Sequence, residues 1–459
     1  MKRILLLVVS SWLLVAGLKA QTVSQKLQTS FTSFENDPQL SHAVASLYVI
    51  DAATGKVIFD KNSQIGLAPA STQKIITSIT AFELLGKDYK YKTVFTGNSD
   101  RLYVAGFGDP TLGSWRYKQT KDTFLFKTII DGLKKGGVTK IRNLIVYDNF
   151  TDKILPGGWI YEDLANYYGA GAQNFNWHEN QYDITFVPGK KVGDRARIDT
   201  TLTPRWREFI NNVKTGATGS GDNAYIYFIP QEEVMSIEGT IPQGVDHFTI
   251  SGADPSPYKN FSYAFKGFAT SVNSLSGDKN SLMITPGYRF DSVVLKNAVY
   301  TYYSPSLDSI IYWFNKKSIN LYGEALIKTF AYEKQGYPST DSGAAIVKRF
   351  WKEKGMDENE LNIFDGSGLS PLNRVTTHAQ VEILKYARSK DWFPYFYDAL
   401  PEYNSMKMKS GTIRDVKGFC GYQKAKDGKE YIFSFLVNNY NDSAGELVRK
   451  MYKVLDDLK

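Results

Sequence analysis

The sequence predicts an α/β fold of the α+β type, in which helices pack on an antiparallel sheet and a strand-rich insertion divides the domain. Strand-like runs stand near both ends of the 459-residue chain, and apolar residues at helical spacing accompany them. Between these ends, short β-type runs are broken by Gly, Pro, Asn and Asp. The 30 Tyr and 27 Phe are typical of folded, partly β-rich material rather than disorder.

The N-terminal part of the sheet is predicted to be a hairpin of residues 43–50 and 56–60 around a turn at 51–55. A helix follows almost at once. Pro69 stands just before Ser71, and apolar residues then recur at helical spacing, at Ile75, Ile76, Ile79, Phe82 and Leu85. This pattern places Ser71 in the first turn of a buried helix.

The rest of the chain divides into an insertion and a C-terminal part. Residues 88–280 predict one or two inserted β-rich subdomains, so the candidate catalytic domain is discontinuous and combines residues 21–87 with 281–459. In the C-terminal part, two helices are predicted at 306–314 and 321–332, with a polar loop between them. Three strands are predicted after them, at 405–412, 418–422 and 431–438.

A final helix carries one apolar stripe, formed by Leu447, Val448, Met451, Tyr452, Leu455 and Leu458. We predict that this stripe packs in the core. The alternative interpretation is an amphipathic membrane anchor.

Residues 1–20 have the pattern of a secretory signal peptide. Lys2 and Arg3 precede an apolar run at 4–18, and cleavage is predicted after Ala20. A membrane anchor is the competing interpretation, but the run is short and no stop-transfer flank follows it. We therefore expect an exported, periplasmic protein with no stable membrane span after cleavage.

Composition excludes several classes of function. Loss of residues 1–20 removes three basic residues and no acidic one, which leaves a mild positive excess that does not indicate nucleic-acid binding. The single cysteine, Cys420, cannot form an internal disulfide, and we interpret it as a buried small hydrophobe rather than a reactive thiol. The four histidines lack metal-ligand spacing, so neither a metal nor a cofactor is predicted.

Ser71 and Lys74 carry the candidate chemistry. A serine hydroxyl needs a base to take its proton, and Ser-x-x-Lys on a helix supplies one. The spacing places both side chains on one helix face, and burial favours the neutral amine of the lysine. The same spacing recurs at 256–259 and 276–279, where Pro and Gly interrupt it, and we expect neither copy to lie on a helix.

A second element, Ser318-Ile319-Asn320, is predicted in the loop between two helices. Its hydroxyl is suited to pass a proton to a leaving group, and its amide is suited to hold a substrate backbone. The rival run at 271–273 is weaker, because no helix clearly precedes it.

The third element is a cationic strand segment, Lys409, Ser410, Gly411 and Thr412, which we predict to bind a terminal carboxylate of the substrate. A rival Lys-Thr-Gly at 214–216 runs into a Gly-rich loop. The main-chain N–H groups of Ser71 and Thr412 are predicted to form an oxyanion hole.

Several acidic residues are given structural interpretations. The run 162–166 superficially resembles a deacylating glutamate loop of class A β-lactamases, but it precedes Ser318, and we interpret it as a surface helix. Asp109 is interpreted as a turn residue and Glu324 as a helix-surface acid, so neither is predicted to take part in catalysis.

Four longer strings carry a family resemblance: residues 70–74 (ASTQK), 106–112 (GFGDPTL), 318–325 (SINLYGEA) and 365–370 (DGSGLS). In these strings the chain resembles the D-alanyl-D-alanine carboxypeptidase/endopeptidase family of class C low-molecular-mass penicillin-binding proteins. That family inserts extra domains between its first two motifs, which fits the long separation of Ser71 and Ser318. Lys-Ser-Gly replaces the commoner Lys-Thr-Gly.

The resemblance implies a penicillin-binding-protein/β-lactamase-like transpeptidase domain with serine-type D-Ala-D-Ala carboxypeptidase or endopeptidase activity, or both. Its implied substrates are peptidoglycan peptides, and β-lactam antibiotics are its implied covalent inhibitors. The implied roles are an acyl-enzyme on Ser71, a general base at Lys74, a proton relay at Ser318, a substrate holder at Asn320 and a carboxylate binder at Lys409.

Two other functions remain open from the sequence. One is a β-lactamase or esterase that shares Ser-x-x-Lys, although such enzymes usually carry Tyr at the position of Ser318. The other is a non-catalytic module that binds peptidoglycan. The sequence also leaves open which peptidase activity dominates and whether the chain forms a homodimer.

Overall fold

A computed structural model describes residues 21–97, 101–147, 153–200, 208–228, 234–272, 275, 283–287 and 297–459. The predicted signal segment, residues 1–20, lies outside this part of the chain. The helices are, in chain order, α1 (Val23–Glu35), α2 (Lys74–Leu85), α3 (Asp122–Lys135), α4 (Pro257–Ser271), α5 (Leu307–Lys316), α6 (Asn320–Gln335), α7 (Thr340–Glu353), α8 (Thr377–Arg388), α9 (Phe393–Ala399) and α10 (Ala444–Leu455).

The strands are, in chain order, β1 (Val44–Asp51), β2 (Val57–Lys61), β3 (Lys92–Gly97), β4 (Arg101–Gly106), β5 (Asn143–Tyr147), β6 (Gln181–Val187), β7 (Arg197–Ile198), β8 (Glu208–Asn211), β9 (Lys214–Gly216), β10 (Asn223–Phe228), β11 (Val234–Pro242), β12 (Phe248–Ala253), β13 (Met283–Gly287), β14 (Ala298–Tyr303), β15 (Leu361–Asn362), β16 (Arg374–Val375), β17 (Glu402–Tyr403), β18 (Met406–Ile413), β19 (Val416–Lys424) and β20 (Glu430–Asn438).

The main sheet has the order β17-β18-β19-β20-β1-β2, with every neighbouring pair antiparallel. It joins the predicted N-terminal hairpin to the predicted C-terminal strands, so the predicted fold class is confirmed. Central strand β20 places Ile432 and Leu436 in one core and Phe433 and Phe435 in another. This alternation follows from the two-residue period of a strand and makes the sheet an interior layer covered on both faces.

The helices on the first face carry the candidate site. Helix α2 is buried along most of its length, because Ile75, Ile76, Ile79 and Phe82 all pack in the core on that face. Helices α5 and α6 confirm the predicted pair and leave a short loop, residues 317–319, between them. The core therefore fixes the start of α2 and the start of α6 against each other.

Helices α1 and α10 cover the opposite face. The apolar stripe of α10 is confirmed as core, with Leu447, Met451 and Leu455 buried. Sequence analysis did not assign α1, although Leu27 and Phe31 are four residues apart and lie in the same core. Across the described residues, no helix combines the length and the apolar character needed to cross a membrane.

The insertion contains two units. The first is a mixed sheet with the order β13-β5-β4-β3-β14, packed against α3 and α4. The second combines β12-β6-β7 with the strands β8 to β11 around one apolar core. Strands β13 and β14 pair with β5 and β3 of the first sheet, although both lie after residue 280, where the insertion is predicted to end.

The expectation that residues 256–259 avoid a helix is wrong. Pro257 is the first residue of α4 and Ser256 is its N-cap. Proline is tolerated at this position because the first helical N–H has no intrahelical partner. The other copy, residues 276–279, lies outside the described residues.

The contact between α6 and α7 supplies a test of the fold. A methyl group at Gly343 of α7 would overlap the carbonyl oxygen of Ile327 in α6. We expect Gly343→Ala to lower the free energy of unfolding by about 1–3 kcal/mol, because the helices must move apart. The control is Gly267→Ala in α4, where the added methyl meets open space and the change should be neutral or slightly stabilising. Urea unfolding measures the free energy of unfolding of both variants. A Gly343→Ala protein as stable as the Gly267→Ala protein would contradict the close contact between α6 and α7.

Candidate active site

Ser71 lies in a 3-10 turn, Ala70–Gln73, that runs directly into α2. The turn begins with Ala70 at φ +46°, a left-handed conformation that is rare for alanine. The Thr72 hydroxyl donates to Pro69 O at 2.6 Å and holds the turn closed. Ser71 is therefore at the start of a buried helix, as predicted, in a tighter turn than an α-helix.

Strand β18 passes directly against this turn. A Cβ atom at Gly411 would lie 2.6 Å from Pro69 O and 2.9 Å from Ser71 N, so only glycine permits the approach. The next residue, Thr412, lines the same cleft as Ser71. The structure thus brings together the two residues predicted for the oxyanion hole.

Lys74 is fully buried, and its amine contacts three oxygen atoms. Nζ lies 2.9 Å from Ser71 Oγ, 2.7 Å from Asn320 Oδ1 and 2.7 Å from Ser367 O. The amide and carbonyl oxygens can only accept, so they take two N–H groups of the amine. In the neutral amine, the lone pair is then left for the proton of the Ser71 hydroxyl.

The surroundings of Lys74 favour that neutral form. Burial lowers the pKa of Lys74 well below its ordinary value, and the positive charge of Lys409 lowers it further. Asp365 and Glu324 oppose this effect. The geometry and the charges therefore both favour the neutral amine of Lys74, the form that can accept a proton.

Ser318 and Asn320 reach the site from the loop between α5 and α6. Ser318 adopts a left-handed φ of +56° and Ile319 is the N-cap of α6, so Ser318 is not the helix cap. Asn320 Nδ2 donates to Tyr168 O at 2.7 Å. This bond fixes the amide orientation and turns Oδ1 toward Lys74.

Lys409 lies behind Ser318. Its Nζ donates to Ser318 Oγ at 2.9 Å and to Ser410 O at 2.9 Å, and the residue is only 1% exposed. Burial lowers the pKa of Lys409 to about 7; nearby Cys420 opposes this, and the charge of Lys417 adds to it. Lys409 therefore presents its charge to the site through the Ser318 hydroxyl.

These groups meet at a cleft of about 690 Å³. Of the predicted site residues, Ser71, Ser318, Asn320 and Thr412 line it. Lys74 and Lys409 are buried behind that lining, and Ser410 contributes its carbonyl oxygen to Lys409. Sequence spacing could not distinguish residues that face the cleft from residues that lie behind it.

The opposite wall of the cleft comes from the insertion and corrects one interpretation. Residues 162–166 do not form the expected surface helix: 162–165 are turns, Asn166 forms an isolated bridge to Gly252, and Glu162 and Asp163 line the cleft. Glu162 pairs with Arg414 at 2.7 Å. Burial raises the pKa of Asp163 to about 6, although a hydrogen bond from Tyr168 opposes the shift.

The loop 365–370 is a supporting element whose role sequence analysis did not identify. Buried Asp365 accepts hydrogen bonds from Gly368 N (2.7 Å), Ser370 N (2.6 Å), Trp159 Nε1 (2.9 Å) and Asn373 Nδ2 (3.0 Å). Such convergence holds the loop in one conformation. The string DGSGLS was the available signal, because its Asp is followed by residues whose N–H groups can turn back to it.

Glu324 is not the helix-surface acid that the sequence suggested. It is fully buried, accepts from Gly366 N at 3.3 Å, and has its pKa raised to about 8 by burial and by Asp365. Asp109 caps a turn as expected, with Oδ1 2.8 Å from Thr111 N, yet burial raises its pKa to about 6. Neither residue is among those that line the cleft.

The rival motifs lie elsewhere. Lys214–Gly216 forms β9 in the second unit of the insertion. Ser271 is the last residue of α4, so the expectation that no helix precedes it is wrong, and Asn273 lies outside the described residues. Cys420 is buried in β19, where burial raises the pKa of its thiol. Within the described ranges, no cluster of three or more His, Cys, Asp or Glu side chains is placed to hold a metal ion.

Comparisons with known proteins agree with this architecture. The sequence model of the D-Ala-D-Ala carboxypeptidase 3 (S13) family matches residues 27–457. A D-alanyl-D-alanine carboxypeptidase from Actinomadura sp. (strain R39) is 26% identical over 457 residues, covering 91% of this chain and 82% of its own. Penicillin binding protein 4 (dacB) from Haemophilus influenzae matches in structure with a TM-score of 0.75 at 17% identity, covering 95% of this chain and 99% of that chain. The same protein complexed with a β-lactam matches with a TM-score of 0.73 at 16% identity and the same coverage.

The network around Asp365 gives a prediction for stability. Asp365→Asn places an amide donor among main-chain donors, so at least two hydrogen bonds to the loop are lost. We expect the free energy of unfolding to fall by about 3 kcal/mol. Asp341→Asn, at an exposed position in the first turn of α7, is the matched control and should change stability by less than about 0.5 kcal/mol. Denaturant unfolding compares the two, and an Asp365→Asn protein as stable as the control would refute the supporting role.

Proposed function

Because the chain belongs to the D-Ala-D-Ala carboxypeptidase 3 (S13) family, we propose that it is an exported serine peptidase that cleaves D-alanyl peptide bonds in peptidoglycan. The observation that carries this proposal is the contact of 2.9 Å between buried Lys74 Nζ and Ser71 Oγ at one end of a cleft. A base with a lowered pKa beside a hydroxyl is the arrangement that acyl transfer to serine requires.

In the first step, the neutral amine of Lys74 takes the Ser71 proton as Oγ attacks the carbonyl carbon of the penultimate D-alanine. The main-chain N–H groups of Ser71 and Thr412 hold the oxyanion that forms. The C–N bond then breaks, and the proton that Lys74 took passes through the Ser318 hydroxyl to the leaving amine, which restores the neutral Lys74. Lys409 donates to Ser318 Oγ, which leaves the hydroxyl hydrogen free to point into the cleft.

The substrate is held by groups that line the cleft. Asn320 offers the second N–H of its amide to the substrate backbone, since the first N–H donates to Tyr168 O. Thr412 offers a hydroxyl on the side of β18 where a terminal carboxylate would lie. The Lys417 amine donates to Thr412 Oγ1 at 2.7 Å and orients that hydroxyl. Lys409 acts on the carboxylate through its charge and through Ser318, since it is buried behind the lining.

Water completes the reaction by hydrolysing the acyl-enzyme on Ser71. Loss of a terminal D-alanine is carboxypeptidase activity, and cleavage of a crosslink between two peptides is endopeptidase activity. A β-lactam ring presents an amide bond of similar geometry, and the Haemophilus influenzae protein of the same fold has been crystallised with one. We infer that β-lactams acylate Ser71 and block the enzyme.

The two alternatives have distinct signatures. Rapid turnover of β-lactams without action on D-alanyl-D-alanine peptides would identify a β-lactamase. Binding to peptidoglycan without release of D-alanine would identify a non-catalytic module. The periplasm is the compartment we propose, because the substrate lies outside the cytoplasmic membrane and residues 1–20 have a signal-peptide pattern.

Fluorescent penicillin tests the nucleophile. We expect the intact protein to be labelled covalently and to release D-alanine from a D-alanyl-D-alanine peptide, and Ser71→Ala to lose both properties. Ser71 Oγ is the hydroxyl in contact with Lys74 Nζ, whereas the other two oxygens, Asn320 Oδ1 and Ser367 O, belong to an amide and a carbonyl group and have no proton to lose. Ser389→Ala, an exposed serine at the end of α8, is the control and should behave as wild type. Gel fluorescence and mass spectrometry detect the adduct. Labelling of Ser71→Ala equal to that of the wild type would exclude Ser71 as the nucleophile.

The lowered pKa of Lys409 predicts a pH effect on substrate capture. The folded pKa is about 7, so the ammonium form is lost as the pH rises through 7, and its attraction for a terminal carboxylate is lost with it. We expect kcat/KM for a peptide with a free carboxylate to fall up to tenfold per pH unit above 7, chiefly through KM.

In Lys409→Arg the guanidinium stays charged throughout this range. The kcat/KM of the variant should therefore not fall between pH 7 and pH 9, whatever its absolute rate. Steady-state kinetics at fixed ionic strength from pH 6 to 9 measure both proteins. Parallel pH profiles for the two would exclude Lys409 as the titrating group.

A further inference from the structure

A second cavity lies on the insertion, beyond the wall of the active-site cleft. Its volume is about 780 Å³, within the range of small-ligand sites. It is lined by the segment around Trp115, by β6, by β12 and by the first half of α4. None of the groups assigned to the chemistry above belongs to it, so its lining must be explained separately.

The lining of this cavity combines aromatic rings with carboxylate and amide side chains. Asp183 and Asp254 contribute carboxylates, and Gln181 and Asn260 contribute amides. Among the described residues that line it, none is a lysine or an arginine. Such a surface repels anionic peptides and suits an uncharged ligand with many hydroxyl and N–H donors.

An exposed aromatic ring completes the cavity. The side chain of Trp115 is 47% exposed, and Trp177 closes the floor with His178 stacked on it at 4.5 Å. The Arg116 guanidinium lies over the Trp115 ring, 5.3 Å from its centroid, yet about half of the residue remains exposed. An exposed part of an indole beside polar groups suits a binding surface, because it can cover a flat ligand while its edge stays hydrated. The C–H face of a pyranose ring over an indole has this shape and chemistry.

The wall between the cavity and the cleft is shared and rigid. Gln181 lines both, Arg116 and Glu179 line the cleft, and their neighbours Trp115 and His178 line the cavity. Arg116 donates two hydrogen bonds to Glu179, at 2.8 Å and 3.1 Å. Buried Glu179 also accepts from Tyr322 OH on α6 at 2.9 Å, which ties this wall to the helix that carries Asn320.

We propose that this cavity binds the amino-sugar backbone of peptidoglycan while the attached stem peptide lies in the cleft. The inference deepens the proposed function and rests on it for the identity of the substrate. A four-residue stem spans at most about 14 Å when extended, so the sugar that carries it must lie near the rim of the cleft. N-acetylated sugars whose carboxylate is used in the link to the peptide are uncharged, as the lining requires.

Sugar binding can be measured without any catalytic step. Isothermal titration of the protein with the N-acetylglucosamine tetrasaccharide should show binding that Trp115→Ala weakens about tenfold, a change of about 1.4 kcal/mol. Asp183→Asn, a second variant at the exposed rim, should weaken it about threefold. Tyr263→Ala is the matched control. Tyr263 lies on α4, is more exposed than Trp115 (63% against 47%) and does not line the cavity. Absence of binding at millimolar sugar, or binding that neither variant changes, would overturn the proposal.

A kinetic arm connects the cavity to the peptidase. Trp115→Ala should lower kcat/KM about tenfold more for a disaccharide-bearing muropeptide than for the same peptide without sugar. An equal effect on both substrates would show that the residue only supports Arg116 and would refute the sugar site. If neither substrate is cleaved by wild type, the proposed peptidase function fails, whereas the titration still decides the sugar site by itself.

Discussion

The burial of a single amine governs this structure. Lys74 Nζ is withdrawn from water and must find its partners within the protein, since an unpaired buried ammonium or amine is costly. Its partners come from a 3-10 turn, from α6 and from the loop 365–370, three segments that are distant in sequence. Each of these three segments must be held in place independently. The packing around the site holds them there.

The insertion takes part in this support. Its Tyr168 carbonyl orients the Asn320 amide, and its Trp159 indole donates to Asp365. Its Glu179 reaches α6 through Tyr322. The region between the first two motifs is therefore structurally coupled to the chemistry. The insertion forms the wall of the active-site cleft opposite Ser71 and also carries the second cavity. The same rigid segment therefore borders both the cleft and the cavity.

Electrostatics in the site depends on two buried lysines with different tasks. Burial lowers the pKa of both Lys74 and Lys409, and the charge of Lys409 disfavours a second charge on Lys74. One can then be a neutral base while the other supplies positive charge. Buried Asp365 and Glu324 oppose the lowering of the Lys74 pKa, while burial and the charge of Asp365 raise the pKa of Glu324 to about 8. The balance needs all four groups at fixed positions.

The sequence by itself determined the local features of this protein: the hairpin, the helix after Ser71, the paired helices around Ser318 and the strands that carry Lys409 were all predicted, because periodicity and turn residues act over short distances. The expectations for Glu324 and for residues 162–166 were wrong, and Asp365 was given no role. Whether an acid faces water, lines a cleft or collects main-chain N–H groups depends on neighbours far along the chain. Tertiary packing alone brought those neighbours together, and so it alone decided which residues line the cleft and which lie behind them.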